Sequence, residues 1–235
     1  MGFGYFDRVY CIHMPNEERC VTIDREFKRV GITDVQYVYA EPPAAGFQMS
    51  NMRRAPKGEF GCSLSHIKAA FLAFADGAER PLFLEDDVVF AKNAVDRMAL
   101  VRQELQLYGE WDILYMGGHP RNTCHRVNDN LVEIGTFSFA ESYAIHGYSL
   151  ESWIEFWIDN AGQTDAMVDL VLGRWAAENT GLCVYPLLTH QPIGISQISG
   201  VRDDKSHCLN RGWSDNLCGE NYLCEACAGS AIKSA

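Results

Sequence analysis

The sequence predicts an α/β fold, a single domain with a mostly parallel central sheet and helices on both faces. Three observations predict it. Short runs rich in β-branched and aromatic residues alternate with longer amphipathic segments, the pattern of a sheet wrapped by crossover helices. The candidate strands Arg8–Met14 and Pro81–Leu84 are continuously apolar or nearly so, as strands buried on both faces are. Finally, 235 residues at 47% hydrophobic content are enough for one sizeable core.

Arg8–Met14 (RVYCIHM) is the first expected strand, ended by Pro15-Asn16. Glu17–Val30 carries Val21, Phe27 and Val30 between charges, as an amphipathic helix does, and Gly31 is placed to terminate it. Val35–Ala40 is a second strand. Residues 41–59 hold Pro42, Pro43, Gly46, Pro56 and Gly58 and read as a long loop. A helix is expected from about Cys62 to Ala75, with Ser63 or Ser65 near its N-terminus. Pro81–Leu84 then runs into Glu85-Asp86-Asp87 and Val88-Val89-Phe90. Ala94–Tyr108 is a helix and Trp111–Met116 a strand stopped by Gly117-Gly118. Leu131–Glu133 and Thr136–Ile145 read as strands or a hairpin. Leu150–Ile158 and about Ala166–Glu178 read as helices, the second capped by Thr164 or Asp165, and Leu182–Leu188 is a last strand. From Arg202 the apolar periodicity fades, so residues 1–201 are expected to form the domain and 202–235 a cysteine-containing appendage.

The formal net charge is −11, which argues against nucleic acid as a partner, because phosphate-backbone binding needs clustered cations. An acidic protein still binds a nucleotide when a divalent metal and a few local cations reverse the sign at the site. No run approaches the roughly 20 apolar residues of a membrane span, and Met1–Arg8 has no secretory pattern, so a cytoplasmic location is expected. Of nine cysteines, Cys208, Cys218, Cys224 and Cys227 crowd the end of the chain. A single CxxC leaves structural zinc, disulfides and free thiols all open there.

The triplet Glu85-Asp86-Asp87 is costly if buried and unpaired, and it follows an apolar strand, at the end where ligands collect in parallel sheets. On an extended segment Glu85 and Asp87 share one face and Asp86 takes the other. Two same-side carboxylates suit a hard divalent cation, with open positions left for diphosphate oxygens. A solvated acidic turn is the plain alternative. Apolar Val88-Val89-Phe90 beyond the triplet, with no Gly, Pro or Ser bounding it, argue against that alternative.

Upstream lies Gly58-Glu-Phe-Gly-Cys-Ser-Leu-Ser-His66. The double motif GEFGCSLSH … PLFLEDDVVF resembles the signature of glycosyltransferase family 25, which includes bacterial lipopolysaccharide glycosyltransferases and collagen galactosyltransferases. The similarity extends over much of residues 8–200. Ile12-His13-Met14 with Arg19 stands at the family's opening strand, where His13 replaces the usual Asn. Trp111–Gly117, Ser142–Ile145, Tyr185-Pro186, His190-Gln191 and Ser196-Gln197-Ile198 look like its later segments.

The resemblance implies a GT-A type, Rossmann-like fold and a UDP-sugar donor, with galactose the first expectation. It also implies a divalent metal, Mn²⁺ or Mg²⁺, and inverting transfer to a saccharide, lipid-linked glycan or glycoprotein. By motif position Asp87 is the expected metal ligand, with Glu85 and Asp86 sharing metal and ribose work. Ile12, His13, Met14, Arg19, Ser65, His66 and Arg53 are donor-binding candidates, and His190 a further metal-ligand candidate. His66 is expected in a helix's first turn, where backbone N–H groups favour anions. Asp169 and Asp165, four apart, are the candidate bases, Val168–Leu172 fitting the family's pattern somewhat better, and Glu141 is a third. A catalytically silent nucleotide-sugar-binding module on the same fold and a different metal-dependent phosphotransfer or hydrolytic enzyme are the competing functions.

Overall fold

The computed structural model describes residues 2–14, 16–40, 57–120, 124–160, 167–191, 194–195 and 202–203. The strands are β1 (Arg8–His13), β2 (Val35–Tyr39), β3 (Pro81–Glu85), β4 (Val89–Phe90), β5 (Ile113–Tyr115), β6 (His119–Pro120), β7 (Cys124–Arg126), β8 (Leu131–Ile134), β9 (Phe137–Ser138), β10 (Ser142–Ile145), β11 (Gly181–Val184), β12 (Thr189–His190), β13 (Gly194–Ile195) and β14 (Arg202–Asp203). The helices are α1 (Glu17–Val30), α2 (Lys57–Ala75), α3 (Ala94–Tyr108), α4 (Leu150–Asn160) and α5 (Val168–Glu178).

The chain forms a mixed α/β fold around an eight-stranded sheet of order β2-β1-β3-β10-β5-β11-β8-β7. Strands β2, β1, β3, β5, β11 and β7 run one way, while β10 and β8 run against them, so the sheet is mostly parallel as expected. Side chains alternate across it. Tyr10, Ile12 and Phe83 point into one core with residues of α2, α4 and α5, and Val9, Cys11, Leu82 and Leu84 into the other with residues of α1 and α3. Helices therefore cover both faces.

The first helix matches its expectation at both ends. The Asn16 side chain accepts from the N–H groups of Glu18 and Arg19, and Gly31 closes the helix at φ 76°, a left-handed conformation that glycine adopts without a Cβ penalty. The second does not. It begins at Lys57, so Ser63 and Ser65 are interior residues, and Ser65 Oγ donates to the Gly61 carbonyl one turn back. Gly58 reads as part of the preceding loop, yet burying Ile67, Ala69, Ala70 and Ala73 in the core outweighs the about 1 kcal/mol that a glycine costs a helix. His66 consequently lies more than two turns inside α2. The backbone amides there belong to the helix, so the anion-binding geometry expected of a first turn is not present at His66.

Three other expectations are corrected. Residues 136–145 are two strands rather than one, because Phe139 takes φ 69° and redirects the chain between β9 and β10. No hairpin joins β8 to β10, which lies between β3 and β5 while β8 pairs with β11 and β7. The last strand stops at Val184, before Tyr185-Pro186, whose proline has no N–H to extend a ladder, and the chain resumes as β12 on β4. Helix α5 starts at Val168 with Met167 in the cap position and no side-chain cap. Thr164 and Asp165, the expected caps, lie outside the described residues, as do Arg53 and the four clustered cysteines. A short ladder pairs β13 with β14.

Candidate functional site

The site is built where two parallel neighbours end. In the β1–β3 ladder Ile12 stands opposite Glu85, so the chain leaves β1 at His13-Met14 beside the point where β3 enters the acidic triplet. Apolar Leu82, Phe83 and Leu84 are fully buried and fix β3 in the sheet centre. Asp86 and Asp87 follow in a turn, with β4 beyond.

The three carboxylates divide, with Asp86 facing one way and one oxygen each of Glu85 and Asp87 another. Asp86 is buried and turns toward the end of β1. Its Oδ2 accepts the Met14 N–H at 2.9 Å and lies 2.9 Å from His13 Nδ1, while Oδ1 accepts from the Arg19 guanidinium at 2.5 Å. Arg19 also reaches Asp87 Oδ2 at 3.3 Å. Burial works against the Arg19 charge, but Asp87 and Asp86 more than offset it and hold its pKa above the ordinary value. His13 extends the chain outward, its Nε2 lying 3.0 Å from Cys20 Sγ.

Glu85 and Asp87 share a donor, although Asp86 and Asp87 lie in a turn rather than on the extended segment that alternation assumes. The Gln191 amide nitrogen donates to Glu85 Oε2 at 2.5 Å and to Asp87 Oδ1 at 3.0 Å. One donor touching both shows that their oxygens converge. Gln191 arrives there because β12 pairs with β4, with His190 opposite Val89 and Thr189 opposite Phe90. The same ladder sets His190, half-buried, two residues along from Asp87. The other Glu85 oxygen, Oε1, faces α2: His66 Nε2 lies 3.2 Å away and Cys62 Sγ 4.0 Å away. His66 is fully buried, with Nδ1 3.0 Å from the Tyr143 hydroxyl.

The turn after Asp87 is anchored by an acid that sequence reading did not single out. Glu26, on α1, accepts the Phe90 N–H at 3.0 Å and a 2.5 Å bond from Arg29, which also donates to the Phe90 carbonyl at 2.7 Å. Burial raises the Glu26 pKa, but the Arg29 and Phe90 hydrogen bonds outweigh it and the net shift is downward.

Asp169 sits half-buried in the first turn of α5. Its Oδ1 accepts the Leu170 N–H at 2.9 Å and its Oδ2 the Phe139 N–H at 3.2 Å. It thereby holds the positive-φ residue that precedes β10 by a short bend. From that bend the Glu141 carbonyl accepts the Glu85 N–H at 2.9 Å, so the backbone links the Asp169 region to the triplet. The Glu141 side chain is buried.

Of the expected donor-binding set, the structure groups His13, Met14, Arg19 and Asp86 in one hydrogen-bonded cluster, and His66 with Glu85 in a second. Ile12 is buried in the core against the sheet, and Ser65 is buried with its hydroxyl on the helix backbone. Gln191, Glu26 and Cys20 were not anticipated. The spacing of Cys62 and His66, one helical turn apart, was the readable signal that these two share a face.

No family model matches the sequence. Among solved structures the chain is similar to A197 from STIV, at 10% identity and a TM-score of 0.46, over 80% of this chain and 86% of that one. It is also similar to the mannose-1-phosphate geranyltransferase from Thermus thermophilus, at 11% identity and a TM-score of 0.42, over 75% of this chain and 73% of that one. Likenesses this distant carry no functional inference.

Proposed function

We propose that the chain is a glycosyltransferase of GT-A type, related to family 25, that uses a UDP-sugar and a divalent metal. The observation that carries this reading is the convergence of Glu85 and Asp87 on one donor, Gln191 Nε2, where β3 ends beside β1. The GEFGCSLSH … PLFLEDDVVF double motif supports it.

The residues present fit a hard cation. Glu85 Oε2 and Asp87 Oδ1 are oxygen donors close enough to share a partner, and His190 follows on the neighbouring ladder as a further candidate ligand. Mn²⁺ or Mg²⁺ held there would neutralise the charge developing on a departing diphosphate. Arg19, paired with Asp86 and Asp87, adds a fixed positive charge at the same strand ends. Met14, exposed at the end of β1 and held through its N–H by Asp86, would be the residue there that meets a nucleoside, with buried His13 supporting Asp86 from behind.

In this reading Asp169 is the base. The acceptor hydroxyl oxygen attacks the anomeric carbon, the bond from that carbon to the UDP oxygen breaks, UDP leaves with the electron pair, and Asp169 takes the hydroxyl proton. Attack in line with the departing group inverts the anomeric centre. Galactose is the first donor sugar to test, and a saccharide or glycoconjugate the acceptor class.

A second reading is a silent UDP-sugar-binding module. It is favoured by one observation: both Asp169 oxygens already accept backbone N–H groups. A panel of UDP-sugars assayed for Mn²⁺-dependent hydrolysis, beside calorimetric titration of UDP with Mn²⁺, separates the two. Turnover supports the transferase, binding without turnover on any acceptor supports the module, and no binding at all refutes both.

A further inference from the structure

The carboxylate of Glu85 has two faces, and only one of them belongs to the proposed donor site. Oε2 meets Gln191 beside Asp87, whereas Oε1 meets Cys62 and His66 on α2. One ligand atom from each of Cys62, His66 and Glu85 lies within 4.8 Å of the other two. We propose that these three residues form a separate binding site for a borderline-soft divalent metal, Zn²⁺ by chemistry.

The local structure builds such a site. Cys62 and His66 are four residues apart on α2 and so project from one face, while the end of β3 brings in the third ligand. Tetrahedral bonds of roughly 2.0–2.3 Å put ligand atoms about 3.3–3.6 Å apart. The 3.2 Å between His66 Nε2 and Glu85 Oε1 already matches, and the 4.0 Å between Cys62 Sγ and Glu85 Oε1 needs only a small adjustment.

The ring of His66 is held for the purpose. Its Nδ1 lies 3.0 Å from the Tyr143 hydroxyl, and it stacks on the Tyr143 ring at 5.7 Å between centroids, which aims Nε2 at Glu85. Metal-bound histidines are oriented in this way by a partner on the second nitrogen.

Charge and ligand type select the metal. A thiolate and a carboxylate neutralise a divalent ion in a partly buried position, with the imidazole neutral. Sulfur and nitrogen together favour Zn²⁺ or Co²⁺ over Mn²⁺ and Mg²⁺, which prefer oxygen. Three protein ligands also leave a fourth position for water. The metal would pin Glu85 Oε1 to α2 and leave Oε2 on the Asp87 side. This site stands independently of what the donor is.

The test uses cobalt as a spectroscopic probe on the full chain, with Cys208, Cys218, Cys224 and Cys227 changed to serine so that the tail contributes no thiolate. The chelator-stripped protein is titrated with Co²⁺ and read by thiolate-to-cobalt charge-transfer absorption and by metal analysis. One cobalt giving that absorption is expected, distinct from any held by the Glu85–Asp87 oxygens, which adds no thiolate band. Cys62→Ser removes the absorption, Tyr143→Phe weakens binding by about tenfold, and Asp87→Asn changes neither. Circular dichroism checks each fold. If the tail variant does not fold, the difference between wild type and Cys62→Ser gives the same reading. Absence of the band in a folded chain, or its survival in Cys62→Ser, overturns the proposal and leaves a plain His66–Glu85 hydrogen bond. Loss of the band in Asp87→Asn would merge this site with the donor metal, and also overturns it. UDP-sugar turnover plays no part in the readout, so failure of the transferase reading is seen separately.

Discussion

His13 Nδ1 lies 2.9 Å from the buried Oδ2 of Asp86, and this contact joins the end of β1 to the end of β3. The same oxygen accepts the Met14 N–H, and Arg19 occupies the other. Asp86 is thus the member of the triplet that holds the strand ends together, leaving Glu85 and Asp87 as the more exposed pair.

Asp86→Ala removes three partners at once and strands Arg19 with only Asp87. Breaking a buried pair in this way costs about 3 kcal/mol or more. Urea unfolding is expected to show that loss, with a smaller one for His13→Ala, which gives up the Asp86 and Cys20 contacts but leaves Arg19 paired.

Glu26 gives stability a pH dependence of known sign. Its folded-state pKa lies below the ordinary glutamate value, so the ionised form is the one the fold prefers. The contribution is fully present above the ordinary value and is lost as pH falls through the depressed one. Glu26→Gln is expected to cost about 1–3 kcal/mol at neutral pH, and the gap to wild type narrows on acidification through that window. Denaturation midpoints of both proteins across pH measure it. A gap that widens toward acid contradicts the assignment.

Gln191 separates two carboxylates by donating to both. With Gln191→Ala the like charges of Glu85 and Asp87 face each other, and the melting temperature falls without metal. Mn²⁺ is expected to restore more of it in the variant than in wild type. An equal shift in the two proteins would separate this carboxylate pair from the metal.

Asp169→Asn keeps a group of the same size on the Phe139 and Leu170 amides, with one oxygen lost as acceptor. Transfer is expected to fall by about 10²–10⁴-fold, the range for a general base, while UDP binding with Mn²⁺ is retained in calorimetry. Unchanged transfer would move the base role elsewhere, with Glu141 next to test.

The fold was legible because its signals are local. Buried strands such as Pro81–Leu84 announce themselves by continuous apolar sequence, and Gly31 marks the end of α1 by capping chemistry. The start of α2 was hidden because packing of its inner face overrides Gly58. In the site, alternation along a strand does not account for the Glu85–Asp87 pairing, because β3 ends at Glu85 and Asp86-Asp87 form a turn. Gln191 was not readable, since it stands 104 residues from Asp87 and is delivered only by the β4–β12 ladder. Glu26 was hidden likewise, on a helix face whose charges look like a solvated surface until Phe90 is seen against them.

Whether Asp87 is a ligand of the donor metal is measured by the Mn²⁺-dependent hydrolysis of UDP-sugars by Asp87→Asn. The variant is expected to fold as the wild type does and to lose at least about 10²-fold in turnover, the least a metal-stabilised leaving group is worth at several kcal/mol. Turnover and metal dependence both intact in Asp87→Asn would contradict the account.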